Sequence, residues 1–483
     1  MSPQRALLPR STPAAAGLSP RAITALLDQL EAHSVECHSL MVVRRGHVVA
    51  EGWWAPYSAE RPHLLYSLTK SFTSIAVGLA IADGLLSLDD RVVDVLPDHV
   101  PADIPDQARR LTVHHLLTMT AGHATDSLTE AWLLEPDDLL RGFLRVPFST
   151  PEGTQHTYDN ATTYILARMV ERVTGQALPE LLDERLFNPM GIDHAEWDRV
   201  ASSAAFGFHG LHLTTESVAA FGELLRRGGK WGDRQLVPSE WVELATTRHI
   251  ETLALPDWTP NPDFLSGYGY QFWINRHGYH GQGAFGQYCV VVPSHDLVIA
   301  FTGAVDPTDV LPGLFWDHLL PDLDAQADSS TAAHQHALTN QLHQLSLKPI
   351  PGTATPAHQP EASTKATVDA SPEDSALPHE TPVQLTPTDD GWHLHLGPSL
   401  TLEVGHGDWQ ESAPLGRPVV ATGAWQANTF TADLYVITTP HRVRVVIDAT
   451  TGTATARWNV VPLTTSHLTL HLKAPLMTRP DVA

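Results

Sequence analysis

Residues 65–83 read Leu65-Tyr66-Ser67-Leu68-Thr69-Lys70-Ser71-Phe72-Thr73-Ser74-Ile75-Ala76-Val77-Gly78-Leu79-Ala80-Ile81-Ala82-Asp83, and the reading of this stretch decides the fold. Apolar residues at Phe72, Ile75, Ala76, Leu79 and Ala80 have helical spacing, which predicts a mostly buried helix from Ser67 to Asp83. Ser67 and Lys70, three apart, then share one helical face. The helix N-terminus adds partial positive charge and free backbone N–H groups where an oxyanion can be held. Serine alone is a weak nucleophile and needs a base within hydrogen-bond reach. Lysine serves only where burial or a nearby cation lowers its pKa. The chain holds five lysines and 25 arginines, so arginine is its ordinary cation. Arginine cannot release its proton, so a proton-moving position must keep lysine. Ser67-Leu68-Thr69-Lys70 is the single Ser-x-x-Lys in the sequence. A capping serine one turn from a solvated lysine would share its spacing.

Outward from this helix, strand-like runs lie on both sides. Ser39–Val43 and His47–Trp53 flank Arg44-Arg45-Gly46 as a hairpin, after a helix expected over Pro20–His33. Gly267–Asn275, Gly286–Val292 and Leu297–Thr302 return to strand character, and Leu311–Leu320 closes as a helix. The block between, from Leu111 to about Arg227, is helical in pattern. Strands at both ends of a helical block predict one α/β domain whose ends meet in a single antiparallel sheet. From Ala325 to Pro382 the composition shifts to Ala, Ser, Thr, Pro, His and Gln, read as a helix over Thr331–Leu347 and then a flexible linker. Beyond it, strand candidates Trp392–Leu396, Leu400–Val404, Thr429–Thr438, Arg442–Asp448 and Thr453–Asn459 predict a small all-β sandwich or barrel. The expected units are 1–324, 325–382 and 383–483.

The 483 residues exceed one ordinary core, and a formal charge of −24 disfavours nucleic acid and anionic membranes as partners. Cys37 and Cys289 form no CxxC pair, and no metal or organic cofactor is expected. His334, His336 and His343 are read as a solvated helix face, with no HExxH pattern among them. Of the tryptophans, which include Trp53, Trp54, Trp132, Trp258 and Trp273, most are expected in the core and one or two against an acyl pocket. The first thirty residues hold no apolar stretch long enough for a signal peptide, so the expected location is the cytoplasm.

Two further motifs bear on chemistry. Tyr158-Asp159-Asn160 precedes a helix over Thr162–Thr174; a tyrosine there can relay a proton, and Asn160 can meet a substrate carbonyl or hold Lys70. Gly281-Gln282-Gly283-Ala284-Phe285-Gly286-Gln287 lies before a strand, where glycines permit close approach of a substrate to backbone N–H groups. Taken alone, either run would be an ordinary turn or bulge.

Together with Leu116-Leu117-Thr118-Met119-Thr120-Ala121-Gly122 and Gly210-Leu211-His212-Leu213-Thr214-Thr215, these blocks resemble the serine β-lactamase and penicillin-binding protein superfamily, and within it the class C-like esterases and peptidases, over residues 15 to 320. The resemblance implies a β-lactamase/transpeptidase-like fold, with an antiparallel sheet flanked by helices plus a helical subdomain. It implies that Ser67 is acylated, that Lys70 and Tyr158 manage the proton, and that the backbone N–H groups of Ser67 and Ala284 hold the oxyanion. Asn160, His280, Gln282, Gly283 and Ala284 are the expected substrate contacts. The third block departs from the family, which carries Lys-Thr-Gly or His-x-Gly there; Gly281 replaces the cation, with His280 one residue earlier and Arg276 four earlier still. That departure moves the expected substrate from β-lactams toward small esters, amides or peptides. A β-lactamase or D,D-peptidase and a catalytically silent binding scaffold are the alternatives, and the sequence leaves the oligomeric state open.

Overall fold

The computed structural model describes residues 6–199, 204–253, 261–324, 330–357, 363–369 and 374–473; Trp258 lies outside them. A six-stranded antiparallel sheet joins the two ends of the first unit. Its strands are β1 (Glu36–Arg44), β2 (His47–Trp53), β3 (Trp273–Asn275), β4 (Gly278–Gly283), β5 (Gln287–Val292) and β6 (Leu297–Ala304), in the order β2-β1-β6-β5-β4-β3. Met41↔Ala300 and Val290↔Ile299 are typical register pairs. Side chains alternate along each strand, so Met41 and Val43 face one layer of helices while Leu40 and Val42 face the other. Both faces are covered, which explains the unbroken apolar run over residues 40–43 within β1.

One layer holds α1 (Pro20–Ala32) and α5 (Val310–Leu319). The other holds α2 (Thr69–Ala82) and α4 (Thr215–Arg226), with α3 (Asn160–Thr174) packed on α2 inside the helical subdomain. Among residues 69–80 of α2 every position is buried, so it is a central helix rather than an amphipathic one.

The second unit is all β. β7 (Thr364–Val368), β8 (Pro382–Pro387), β9 (Gly391–Leu396), β10 (Leu400–Gly405), β11 (Gln410–Ser412), β12 (Val419–Gln426), β13 (Thr429–Val436), β14 (Arg442–Asp448) and β15 (Thr453–Trp458) form one sheet. Its order is β10-β9-β8-β7-β15-β14-β13-β12-β11, and a further pairing of Gly405 with Thr422 brings β10 onto β12, so the sheet closes on itself around a core that includes Leu394, Leu402, Phe430 and Val445.

The structure departs from the sequence reading in several places. Of Gly267–Asn275, expected as a strand, only Trp273–Asn275 is one, and Val419–Gln426, given no element in the sequence reading, is a strand of the second unit. Gly281-Gln282-Gly283, expected to lie before a strand, is itself the end of the strand Gly278–Gly283, and its two glycines lie where a side chain would meet the segment of residues 65–71 beside it. Thr364–Val368, within the stretch read as linker, is a strand pairing with β8 and β15; its burial alternates, with Thr364, Ala366 and Val368 inside.

Candidate active site

Ser67 sits in a 3-10 turn, Tyr66–Leu68, that leads directly into α2. Tyr66 holds φ +49°, a left-handed backbone that a bulky residue rarely adopts. Its ring is buried and its phenol donates to Nε2 of His441 in the second unit. The Nδ1 of His441 contacts the Val460 carbonyl at 2.9 Å, which assigns the proton to Nδ1 and leaves Nε2 as the acceptor.

Lys70 is 1% exposed, and its Nζ has three partners: Ser67 Oγ at 2.9 Å, Asn160 Oδ1 at 2.6 Å and the Phe208 carbonyl at 3.2 Å. Two of these are carbonyl oxygens that can only accept. A neutral amine has two N–H groups and one lone pair; with both N–H groups held by Asn160 and Phe208, the lone pair is left toward the Ser67 hydroxyl. Burial pushes the amine down to about 7, against the opposing pull of the Asp126 and Asp159 carboxylates.

The Asn160 orientation has its own support. Its Nδ2 donates to Asp126 Oδ2 at 2.5 Å and its backbone N–H to Asp126 Oδ1 at 3.1 Å, which turns Oδ1 toward Lys70. Asp126 keeps surface open to solvent, yet protein crowding its carboxyl, and then the Asp159 charge, raises its pKa. Asp159 caps α3 through the Ala161 N–H at 2.9 Å and accepts from Ser127 Oγ at 2.8 Å.

Tyr158 stacks on Trp273 with ring centroids 5.9 Å apart, and Lys70 Nζ lies 4.8 Å from its ring centre. Burial raises the phenol above its ordinary range, offset in part by hydrogen bonding to Ser67, so it is protonated at neutral pH.

β4 passes beside the Ser67 turn. A Cβ on Gly281 would come within 2.4 Å of Leu68 Cδ1, and one on Gly283 within 2.0 Å of the Leu65 carbonyl. Pairing with β3 ends at His280, so among the described residues the next residues of β4 have no strand on that side. Gln287, buried at the start of β5, ties down the turn by donating to the carbonyls of Ala284 and Phe285, each at 3.1 Å.

Ser67, Lys70, Tyr158 and Asn160 come together, with Gly283 against the Ser67 turn. His280 and Gln282 do not join them. The two glycines face the segment of residues 65–71, so strand alternation turns Gln282 between them and His280 before them the other way. Gln282 donates to Thr308 at 2.7 Å. His280 is buried against Phe264 and Tyr288, and burial lowers it to about 3, so it carries no charge for a substrate. Arg276 pairs with the buried Asp263 at 2.9 Å.

An open cavity of about 260 Å³ lies beside Ser67, lined by Asp126, Trp132, Phe206, Phe208 and His209 and, from the second unit, Leu463. His209 is buried, and neither ring nitrogen has a hydrogen-bond partner among the described residues. Asp126, Phe208, His209 and Leu463 escape sequence reasoning because none lies in a local motif with Ser67; only the fold brings them there.

The family model described as Beta-lactamase matches residues 23–311. The chain belongs to the serine β-lactamase and penicillin-binding protein superfamily. It is 31% identical over 202 residues to Penicillin-binding protein 4 of Amycolatopsis lactamdurans, covering 40% of this chain and 52% of that protein. It is 32% identical over 156 residues to Lovastatin esterase of Penicillium rubens, covering 28% and 39%. The chain thus spans about half or less of the length of these curated relatives. The octameric penicillin-binding protein homologue from Pyrococcus abyssi shares the fold over 88% of this chain and 96% of its own, with a TM-score of 0.50 at 15% identity. This membership corrects the cytoplasmic location expected from the sequence, since the matched penicillin-binding proteins and β-lactamases are periplasmic or secreted enzymes. Among the described residues no helix is long and apolar enough to cross a membrane.

Proposed function

We propose that the protein is a serine hydrolase that cleaves small esters, amides or peptides through an acyl-enzyme on Ser67. The observation that carries this reading is the Lys70 amine held by two carbonyl oxygens, with Ser67 Oγ as its third partner. With its pKa near neutrality, the amine takes the Ser67 proton as Oγ bonds to the substrate carbonyl carbon. The oxyanion so formed is held by the backbone N–H groups of Ser67 and Ala284. As the tetrahedral adduct collapses, the Tyr158 phenol protonates the departing oxygen or nitrogen and is itself reprotonated from the Lys70 ammonium. Water then attacks the acyl carbon and gives its proton to the Lys70 amine, which passes it to Ser67 Oγ as the ester bond breaks, releasing the acid and restoring the hydroxyl.

Among the described residues no free cation stands at Gly281, since His280 is neutral and Arg276 is paired, which supports substrates without an essential carboxylate. The esterase among the relatives supports the same class. A panel of chromogenic esters, D-amino-acid amides, penicillins and cephalosporins tests the reading. Turnover of esters or amides that disappears in Ser67→Ala is expected; turnover retained in that variant overturns the assignment.

A further inference from the structure

The cavity beside Ser67 takes one of its walls from the second unit. Leu463 lies in the segment that follows β15, and it is 67% exposed, more than any other large apolar side chain among the described residues. Most such side chains are covered; this one borders the cavity that holds Ser67. The segment is fixed on both sides of it. Val460 accepts from His441 at 2.9 Å, and Ser466 accepts from Trp458 Nε1 at 2.8 Å. The same His441 takes the hydrogen bond of Tyr66, next to Ser67, and the Leu64 N–H donates to the Thr438 carbonyl at 2.8 Å. Leu463 is therefore held at a set distance from Ser67 by the hydrogen bonds that join the two units.

The cavity also has a direction. Tyr158, the proton donor to the leaving group, does not line it and lies against Trp273 instead. The leaving group must reach that donor, so the cavity receives the part of the substrate that stays on Ser67. Its walls there are Leu128, Trp132, Phe206, Phe208 and Leu463, and its charged group is the Asp126 carboxylate, which repels an anionic acyl group.

We propose that Leu463 of the C-terminal unit is a specificity-determining residue, the end wall of an acyl pocket that takes uncharged aliphatic or single-ring acyl groups and limits their length. This rests on the reading of Ser67 as the nucleophile. The test is a p-nitrophenyl ester series from acetate to dodecanoate with the full chain, Leu463→Ala and Leu463→Trp, read as ratios of kcat/KM within each variant so that any general loss cancels. One methylene in an apolar pocket changes discrimination by about tenfold or more. In Leu463→Ala the dodecanoate-to-butyrate ratio rises at least about tenfold over the parent, and in Leu463→Trp the hexanoate-to-acetate ratio falls by a similar factor. Ratios within about twofold of the parent in either variant overturn the proposal while leaving the Ser67 reading intact. A parent chain that turns over no ester and takes no fluorophosphonate on Ser67 removes that reading, and this one with it.

Discussion

Lys70 is the residue on which the chemistry turns, and its environment makes the pH dependence specific. Its pKa is lowered to about 7 by burial, and only the free amine can take the Ser67 proton. Activity should rise with pH through that value, with kcat/KM falling about tenfold per unit on the acid side. Asp126 opposes the shift, so Asp126→Asn should move the acid limb to lower pH; an unmoved limb, or one moved upward, contradicts the coupling. Lys70→Arg keeps the charge but cannot shed the proton, and should cost roughly 10²-fold or more in kcat/KM with near-native melting. The Ser67–Lys70 pair was legible in sequence because an i,i+3 offset on a helix is a local fact. Asp126 was not, since its contact with Asn160 spans 34 positions and no pattern announces it.

At the scale of the element, β4 shows how a strand can hide behind its glycines. Glycine weakens a strand, so Gly281-Gln282-Gly283 reads as a loop unless the neighbour it must approach is known. Here that neighbour is the Ser67 turn, with the Leu65 carbonyl against Gly283. Gly283→Ala should push the strand off the turn, at about 1–3 kcal/mol of stability and with a larger loss of activity. Gln282→Ala removes hydrogen bonds to Thr308 and Tyr288, away from Ser67, and should cost about 1 kcal/mol. Melting temperatures and kcat/KM for the two variants check this; a Gly283→Ala enzyme equal to the parent contradicts it. The alternation that made Arg442–Asp448 readable as a strand is the complementary case, because side chains report which face is buried.

Across the whole molecule, the two units are joined by buried polar groups rather than by an apolar seam alone. Arg417 of the second unit pairs with Asp198 of the first at 2.9 Å, both almost fully buried. Arg417→Met leaves the carboxylate without this partner and should cost about 3–5 kcal/mol in denaturant unfolding. His209, His441 and His471 are buried and lowered, His209 to about 4 and His441 to about 3. Below their ordinary value of 6.5 the unfolded chain takes up protons that the folded one refuses. The Asp198 carboxyl, drawn well below its usual range against its burial by His212 and Arg417, adds a loss at still lower pH. Stability should therefore be full above pH 7 and fall between 6.5 and 4; a flat calorimetric profile contradicts this. The all-β character of the second unit was legible from its alternating strands. Its role as a wall of the site was not, because Leu463 has no partner within its own stretch of sequence.

Every step above needs Ser67 as the nucleophile, and intact-mass spectrometry after fluorophosphonate treatment checks that role. One adduct per chain is expected, mapped by peptide analysis to Ser67, forming faster as pH rises through about 7 and absent in Ser67→Ala. An unlabelled parent chain, or an adduct that persists in Ser67→Ala, would contradict it.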